Sequence, residues 1–380
     1  MNKKFGIQSS SFIVHSSSSP NSNSGFMIQR RKTRQISIGP TKIGGDASIS
    51  VQSMTKTDTR DIRRTILQIR RLEEVGCEIV RVAVVDEEAA RAIAGIKKRI
   101  KIPLIADIHF NYRLALKAME SGADGLRINP GNIGGRDRLM AIVTEAKDRS
   151  VAIRIGVNAG SLEKDLLKRF GGATPEAMVS SALRTIEWME DIGFHLIKVS
   201  LKASDVIRTV EAYRLFSQKT DYPVHLGITE AGRGSGAIVK SSIGIGLLLH
   251  EGIGDTLRVS LTRDSAEEVR VGYDILRSLK IRKRGVEIIS CPTCGRCEIN
   301  LTPLVEKVEK ATQRIGNPLT IAIMGCVVNG PGEAKEADVG IAGGKGVGLL
   351  IKKGRVVKKV REKDFAKVLL SEVQQMTKGI

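Results

Sequence analysis

Leu104-Ile105-Ala106-Asp107-Ile108-His109, a helical pattern from Tyr112 to Ser121, then Gly125-Leu126-Arg127-Ile128-Asn129 form the unit on which the fold turns. A short apolar run closes on polar residues, a helix follows, and a second apolar run starts after a glycine. Strands apolar on both faces are those of a parallel sheet covered by helices. The same unit recurs from residue 49 onward. β-branched runs fall at 49–54, 79–85, 104–107, 125–129, 152–157, 196–201, 224–228 and 256–261. Helical patterns follow at 61–75, 87–100, 112–121, 136–149, 175–192, 205–218, 242–250 and 265–279, most of them punctuated by Gly or Pro. Eight successive βα units imply a closed (β/α)8 TIM barrel over residues 28–279. A doubly wound open sheet is the competing architecture, yet no Gly-rich dinucleotide fingerprint follows the first strand.

Composition narrows the function. With 380 residues, 41% of them hydrophobic and 27% charged, the chain can build two cores. No apolar run approaches the roughly 20 residues that span a bilayer, and the start lacks the apolar core of a secretory signal. A cytoplasmic protein with reduced cysteines and no membrane association is expected. Residues 1–27 are rich in Ser and Asn, and no acidic residue precedes Asp46, so this stretch reads as a disordered tail. The net charge of +20 asks for an acidic partner, but aromatic residues make up only 3% of the chain. Platforms for base stacking are missing, which argues against nucleic acid. Cys77, alone in Glu74-Val75-Gly76-Cys77-Glu78, reads as a packing residue.

In a TIM barrel the working groups stand at the C-terminal ends of the strands. Polar residues gather there: Asp107 and His109, Arg127 and Asn129, Arg154 and Asn158, Lys198, Ser200 and Lys202, Glu230, then Arg258 and Ser260. Spacings of two place them on one face. Each cation could close a salt bridge inside the barrel. As a set, however, Arg127, Arg154, Lys198, Lys202 and Arg258 stand against few carboxylates and suit a polyanion such as a diphosphate.

Residues 280–285 form a basic linker, and residues 286–380 a small α+β unit. A helix is expected at 302–314, strands at 319–324, 339–342 and 347–351, and a closing helix at 364–377, with 343–348 a tight hairpin rather than a phosphate loop. Four of the five cysteines lie here, in Cys291-Pro292-Thr293-Cys294-Gly295-Arg296-Cys297 and Gly325-Cys326. Such thiols hold zinc or an iron–sulfur cluster, with Cys297 or Cys326 able to supply a third ligand.

Cys291-Pro-Thr-Cys294-Gly-Arg and Gly325-Cys326-Val-Val-Asn329-Gly-Pro-Gly-Glu333-Ala, behind eight βα units, resemble the bacterial 4-hydroxy-3-methylbut-2-enyl diphosphate synthase family. Further matching stretches include Val51-Gln52-Ser53-Met54-Thr55, Ala106-Asp107-Ile108-His109-Phe110, Leu126-Arg127-Ile128-Asn129-Pro130-Gly131-Asn132 and Gly227-Ile228-Thr229-Glu230. The resemblance runs from Met27 to the C-terminus. It implies an iron–sulfur oxidoreductase of the non-mevalonate isoprenoid pathway. That enzyme opens the ring of 2-C-methyl-D-erythritol 2,4-cyclodiphosphate and removes a hydroxyl, with two electrons from flavodoxin or ferredoxin. It also implies a 4Fe-4S cluster on Cys291, Cys294, Cys326 and Glu333, with Asn329 orienting the substrate. Arg127, Arg154, Lys202, Arg258 and Ser260 would hold the diphosphate with help from Asn158, Glu230 would supply a proton, and a homodimer would place the cluster domain of one subunit over the barrel of the other. Cys297 departs from this pattern. The alternatives are a zinc-stabilised binding module on an inactive barrel, and a cluster enzyme that reduces sulfite or nitrite.

Overall fold

The computed structural model describes residues 28–326, 328 and 330–378; the tail expected over residues 1–27 lies outside them. An antiparallel hairpin, β1 (Ile36–Ile38) and β2 (Thr41–Ile43), comes first. The repeating part then runs β3 (Ser50–Met54), α1 (Ile62–Glu74), β4 (Ile79–Val84), α2 (Glu87–Lys97), β5 (Leu104–Ile108), α3 (Tyr112–Glu120), β6 (Gly125–Ile128), α4 (Arg136–Asp148) and β7 (Ala152–Asn158). It continues through α5 (Lys164–Phe170), α6 (Pro175–Glu190), β8 (Ile197–Lys202), α7 (Val206–Lys219), β9 (His225–Leu226), α8 (Ser235–His250), β10 (Thr256–Leu257) and α9 (Ser265–Ser278). The strands pair in parallel in the order β8-β7-β6-β5-β4-β3-β10-β9, and a parallel bridge between Val199 and Val224 joins the two ends. The sheet is therefore the TIM barrel that the repeat implies.

Local chemistry aims its open rim. Side chains of Asp61, Asp86, Asn111, Thr174, Asp205 and Asp264 accept hydrogen bonds from backbone N–H groups in the first turns of α1, α2, α3, α6, α7 and α9. Each cap satisfies a donor the helix leaves over and anchors the preceding loop. The other rim is stoppered. Ile36, Ile38 and Ile43 of the hairpin pack in one buried cluster with Ile79, Ile105 and Ala152, which stand at or near the starts of β4, β5 and β7. The C-terminal ends of the strands are left as the mouth.

Departures from the sequence pattern fall near that rim. β9 and β10 have two residues each, where five and six are expected, because the chain beyond Leu226 leaves the ladder and passes very close to the Arg258 carbonyl. α8 begins at Ser235 instead of residue 242; Gly234 and Gly236 flank its first residue, and burial of Ala237 and Ser241 outweighs that weak helix propensity. α5 has no counterpart in the sequence reading.

The remaining elements are β11 (Val286–Ser290), α10 (Leu301–Thr312), β12 (Leu319–Met324), the single turn α11 (Gly330–Glu333), β13 (Val339–Gly344), β14 (Val347–Lys352), β15 (Arg355–Arg361) and α12 (Phe365–Lys378). They form a second sheet, β11-β12-β13-β14-β15, parallel through β13 and antiparallel beyond. Its core is its own, built from Val308, Ile321, Ile323, Ile341, Leu350, Phe365 and Leu369. The hairpin turn expected at 343–348 joins β13 to β14. β11 and β15 are additional strands. Arg282 ties the connecting segment to the Ile49 carbonyl and to Glu78, and Arg282 and Arg284 both lie over the Tyr273 ring. Ile49 and Glu78 precede β3 and β4, so this anchor sits at the rim opposite the mouth. No helix among the described residues is long and apolar enough to cross a membrane.

Candidate functional site

Strand register brings the barrel's polar residues together. Asp107 pairs with Arg127, Arg127 with Arg154, and Arg154 with Lys198, so four adjacent strands set these side chains in one row on one face. Nearer the rim, Asn158 pairs with Lys202. Arg127, Arg154, Lys198 and Lys202 are all buried. Lys202 Nζ rests where a side chain on residue 227 would stand, 2.6 Å from that Cβ position, so Gly227 is what lets the ammonium lie against this loop.

Two carboxylates share the space. Asp107 accepts from Arg127 Nη1 at 3.2 Å and faces Arg81 Nε at 3.5 Å; Glu268, reaching in from α9, bridges to Arg258 at 3.2 Å and to Lys56 at 3.4 Å. Salt bridges inside the barrel are thus realised for Arg127 and Arg258. For Arg154, Lys198 and Lys202, among the described residues, they are not. Lys198 Nζ, Arg127 Nε, Arg154 Nε and His225 Nε2 are buried without a hydrogen-bond partner among the described residues, and Arg154 reaches only the Ser200 hydroxyl, at 3.1 Å. Buried donors are rarely left so, because each costs about 1–3 kcal/mol unless something answers it.

Electrostatics follows from this crowding. Burial, then Arg154, Arg81, Arg258 and Arg127, push the Lys202 ammonium well below its usual range. Burial, Arg154 and Arg81 do the same to Lys198 against the pull of Asp255, and burial with Lys202, Arg154 and Lys198 holds His225 neutral well below its ordinary value. Burial works against ionised Asp107, but Arg81, the hydrogen bond from His109 and Arg127 outweigh it and keep the carboxyl far below the carboxylate range. The barrel has a surplus of positive charge that its own acids do not cancel.

Glu230 is exposed at the same rim, in a left-handed conformation with φ 52° that only a few per cent of non-glycine residues adopt. Ser260 and Asn158 are half-buried. Arg81 and Glu268 escaped the sequence reading. A charged residue inside the apolar run 79–85 was the available sign for Arg81, whereas Glu268 lies in an ordinary helical pattern that does not show where it points. Cys77 is buried as expected; its thiol donates to the Ile79 carbonyl at 3.1 Å, and burial raises it to about 12.

The second sheet gathers the other thiols. β11 and β12 are parallel neighbours with Ser290 beside Ile323, so the segments that follow them, starting at Cys291 and reaching Cys326, leave from the same end. Gly325 N–H lies 3.3 Å from Cys291 Sγ, and Cys297 Sγ occupies the place of the side chain that Gly325 lacks. Cys297 and Cys326 line one pocket of about 440 Å³ with Arg296 and Lys345. Cys294 is exposed, as is Glu333 at the end of α11, and Asn329 lies outside the described residues. Among the described residues no three Cys, His, Asp or Glu side chains are drawn close enough to hold a metal. In donor chemistry the set suits an iron–sulfur cluster, since soft thiolates come from two adjoining loops.

A stoppered (β/α)8 barrel with a cationic mouth, followed by a unit that carries thiols at the ends of two neighbouring strands, defines a two-part TIM-barrel protein. The GcpE TIM-barrel domain matches residues 33–273 and the GcpE C-terminal domain residues 287–375. The chain belongs to the GcpE family. It is 60% identical over 349 residues to the 4-hydroxy-3-methylbut-2-en-1-yl diphosphate synthase (flavodoxin) of Thermodesulfovibrio yellowstonii, covering 92% of this chain and 100% of that one. Relatives of the same name from Caldanaerobacter subterraneus (93% and 99% covered) and Geobacter sulfurreducens (91% and 98%) are each 58% identical.

Proposed function

We propose that this chain converts 2-C-methyl-D-erythritol 2,4-cyclodiphosphate to 4-hydroxy-3-methylbut-2-enyl diphosphate, with two electrons delivered by flavodoxin. The observation that carries this reading is the row of buried cations with unanswered donors in a barrel closed at its far end. A diphosphate would answer them. Arg127, Arg154, Lys202 and Arg258, with the Ser260 hydroxyl, hold the phosphate oxygens, and Asn158, beside Lys202, assists them. Asp107 and Glu268 keep two of the guanidiniums aligned before substrate arrives, which lowers the cost of ordering them on binding. Glu230 at the rim donates a proton to the departing hydroxyl, because water leaves far more readily than hydroxide.

Cys291, Cys294 and Cys326 with Glu333 would hold a 4Fe-4S cluster, which when bound supplies the electrons one at a time. Glu333, a harder and more exchangeable donor than thiolate, suits the iron that faces substrate, and Asn329 stands beside it in sequence. Residues 28–279 form the substrate domain, 280–285 the linker and 286–380 the cluster domain. Because the linker is anchored opposite the mouth, the cluster domain that covers a mouth belongs to a second subunit, giving a homodimer in the cytoplasm. Covering the mouth also keeps water from reduced species.

Anaerobic incubation of the reconstituted protein with the cyclodiphosphate and a reductant tests the reading. Formation of the allylic diphosphate is expected. An iron–sulfur protein that leaves the cyclodiphosphate unchanged under those conditions contradicts it.

A further inference from the structure

β15 closes one edge of the second sheet and, over Arg355–Lys359, packs on neither of its faces. Arg355, Val356, Val357, Lys358 and Lys359 are exposed in succession, and only Val360 is buried toward the end of the strand. A strand normally hides every second side chain. Here Val356 is 59% and Val357 53% exposed, and Val347 on the adjoining strand is 43% exposed. Lysines on an edge strand commonly discourage pairing with other chains. That role needs few charges, whereas residues 345–363 contain eight Lys and Arg and a single acid, Glu362. Only Lys352, paired with Glu372 at 2.9 Å, and Arg361, paired with Asp364 at 3.1 Å, have carboxylate partners among the described residues.

This edge adjoins the thiols. Lys345, in the turn between β13 and β14, lines the pocket that also holds Cys297 and Cys326. Glu362 N–H, immediately after β15, donates to the Gly346 carbonyl of that turn at 3.0 Å. At about 3.3 Å per residue, the strand extends roughly 20 Å away from there. Residues 345–363 contain no aromatic side chain, so the edge lacks what a single-stranded nucleic acid would stack on. A few exposed valines within a field of unpaired cations suit a small, short-lived protein contact that is steered by charge.

We propose that the β15 edge, with Lys345 at its thiol end, is the docking surface for an acidic, one-electron carrier protein of the flavodoxin type. This rests on the redox reading above, which requires such a carrier. Opposite charge brings the carrier's acidic rim onto Lys358, Lys359 and Arg355, and the valines exclude water at the centre of the contact.

The test uses the anaerobically reconstituted holoenzyme and the triple variant Arg355→Glu, Lys358→Glu, Lys359→Glu. Binding to immobilised flavodoxin is measured beside turnover driven by reduced flavodoxin and by dithionite, which needs no docking surface. The variant is expected to lose about tenfold or more in flavodoxin affinity and to show a flatter dependence on ionic strength, with dithionite-driven turnover unchanged. The Gln triple variant should fall between the two. Flavodoxin affinity equal in the variant and the parent overturns the assignment, and so does a change of oligomeric mass, which would make the edge a contact between copies of this chain. Absence of dithionite-driven turnover in the parent contradicts the redox reading instead, while the binding measurement still decides the docking surface.

Discussion

The barrel mouth and the thiol end of the second sheet solve opposite problems. The mouth is prebuilt: strand register fixes its row of charges, Asp107 and Glu268 brace two of the cations, and every member of the row is buried. The thiol end is open. Its cysteines sit on loops beyond β11 and β12, Cys294 and Glu333 are exposed, and among the described residues the proposed ligands are not drawn together. A preformed cationic pocket can recognise a diphosphate by itself, whereas the thiol end, on the reading proposed above, would be completed by the cluster it binds. Folding energy orders the first, and metal-binding energy would order the second.

The largest expected effect sits at the open end. Cys326→Ser should lose the visible absorption, the bound iron and all turnover, whereas Cys297→Ser keeps them; iron and sulfide analysis after anaerobic purification reads both. Iron retained by the Cys326 variant would break the contrast by making Cys297 the ligand. The mouth should respond in stability instead. Asp107→Asn leaves Arg81 and Arg127 without their buried partner, and a loss of about 3–5 kcal/mol is expected in denaturant unfolding of the cluster-free protein. A diphosphate ligand should restore part of it.

Smaller effects sharpen the picture of the mouth. Lys202→Met removes one charge-assisted contact, expected to be worth about 1.5–3 kcal/mol, or roughly ten- to a hundredfold in cyclodiphosphate affinity, with cluster content unchanged. Protonation gives the subtlest signal. Lys202 and Lys198 are held below their usual values, so the ligand-free folded protein binds fewer protons than the unfolded chain. Its stability should therefore rise with pH below about 10.4, the ordinary lysine value. A bound polyanion reverses the shift and draws protons in. Calorimetric titration in two buffers of different ionisation heat should show proton uptake on diphosphate binding, reduced in Lys202→Met; no uptake would mean that these groups are already charged in the free barrel.

The barrel was legible because eight repeats of one period leave few architectures, and residues two apart on parallel strands must share a face. The members of the cationic row followed from that rule alone. What stayed hidden depends on side chains that arrive from elsewhere: Glu268 from α9, the Ile36, Ile38 and Ile43 stopper at the lower rim, and Arg81 inside an apolar run. β15 was hidden for a different reason. A strand exposed on both faces carries no alternation, so residues 352–363 read only as a charged edge and helix start until the partner strand β14 is seen. The cysteine motifs were conspicuous, but spacing left both Cys297, the nearest thiol, and Cys326, the distant one, as candidates for the third ligand, and the family resemblance favours Cys326.

That a mouth and a thiol end from two different subunits make one active site is tested most directly by complementation. Assayed well below saturating cyclodiphosphate, Lys202→Met is expected to turn over about ten- to a hundredfold more slowly than the parent and Cys326→Ser not at all. Co-expressed with different affinity tags and purified through both, they form mixed dimers in which the intact barrel of the Cys326 variant faces the intact cluster domain of the Lys202 variant. Turnover of the cyclodiphosphate in those mixed dimers should rise well above that of either variant alone. Mixed dimers that carry iron yet turn over no faster than Lys202→Met alone would contradict an active site shared between subunits.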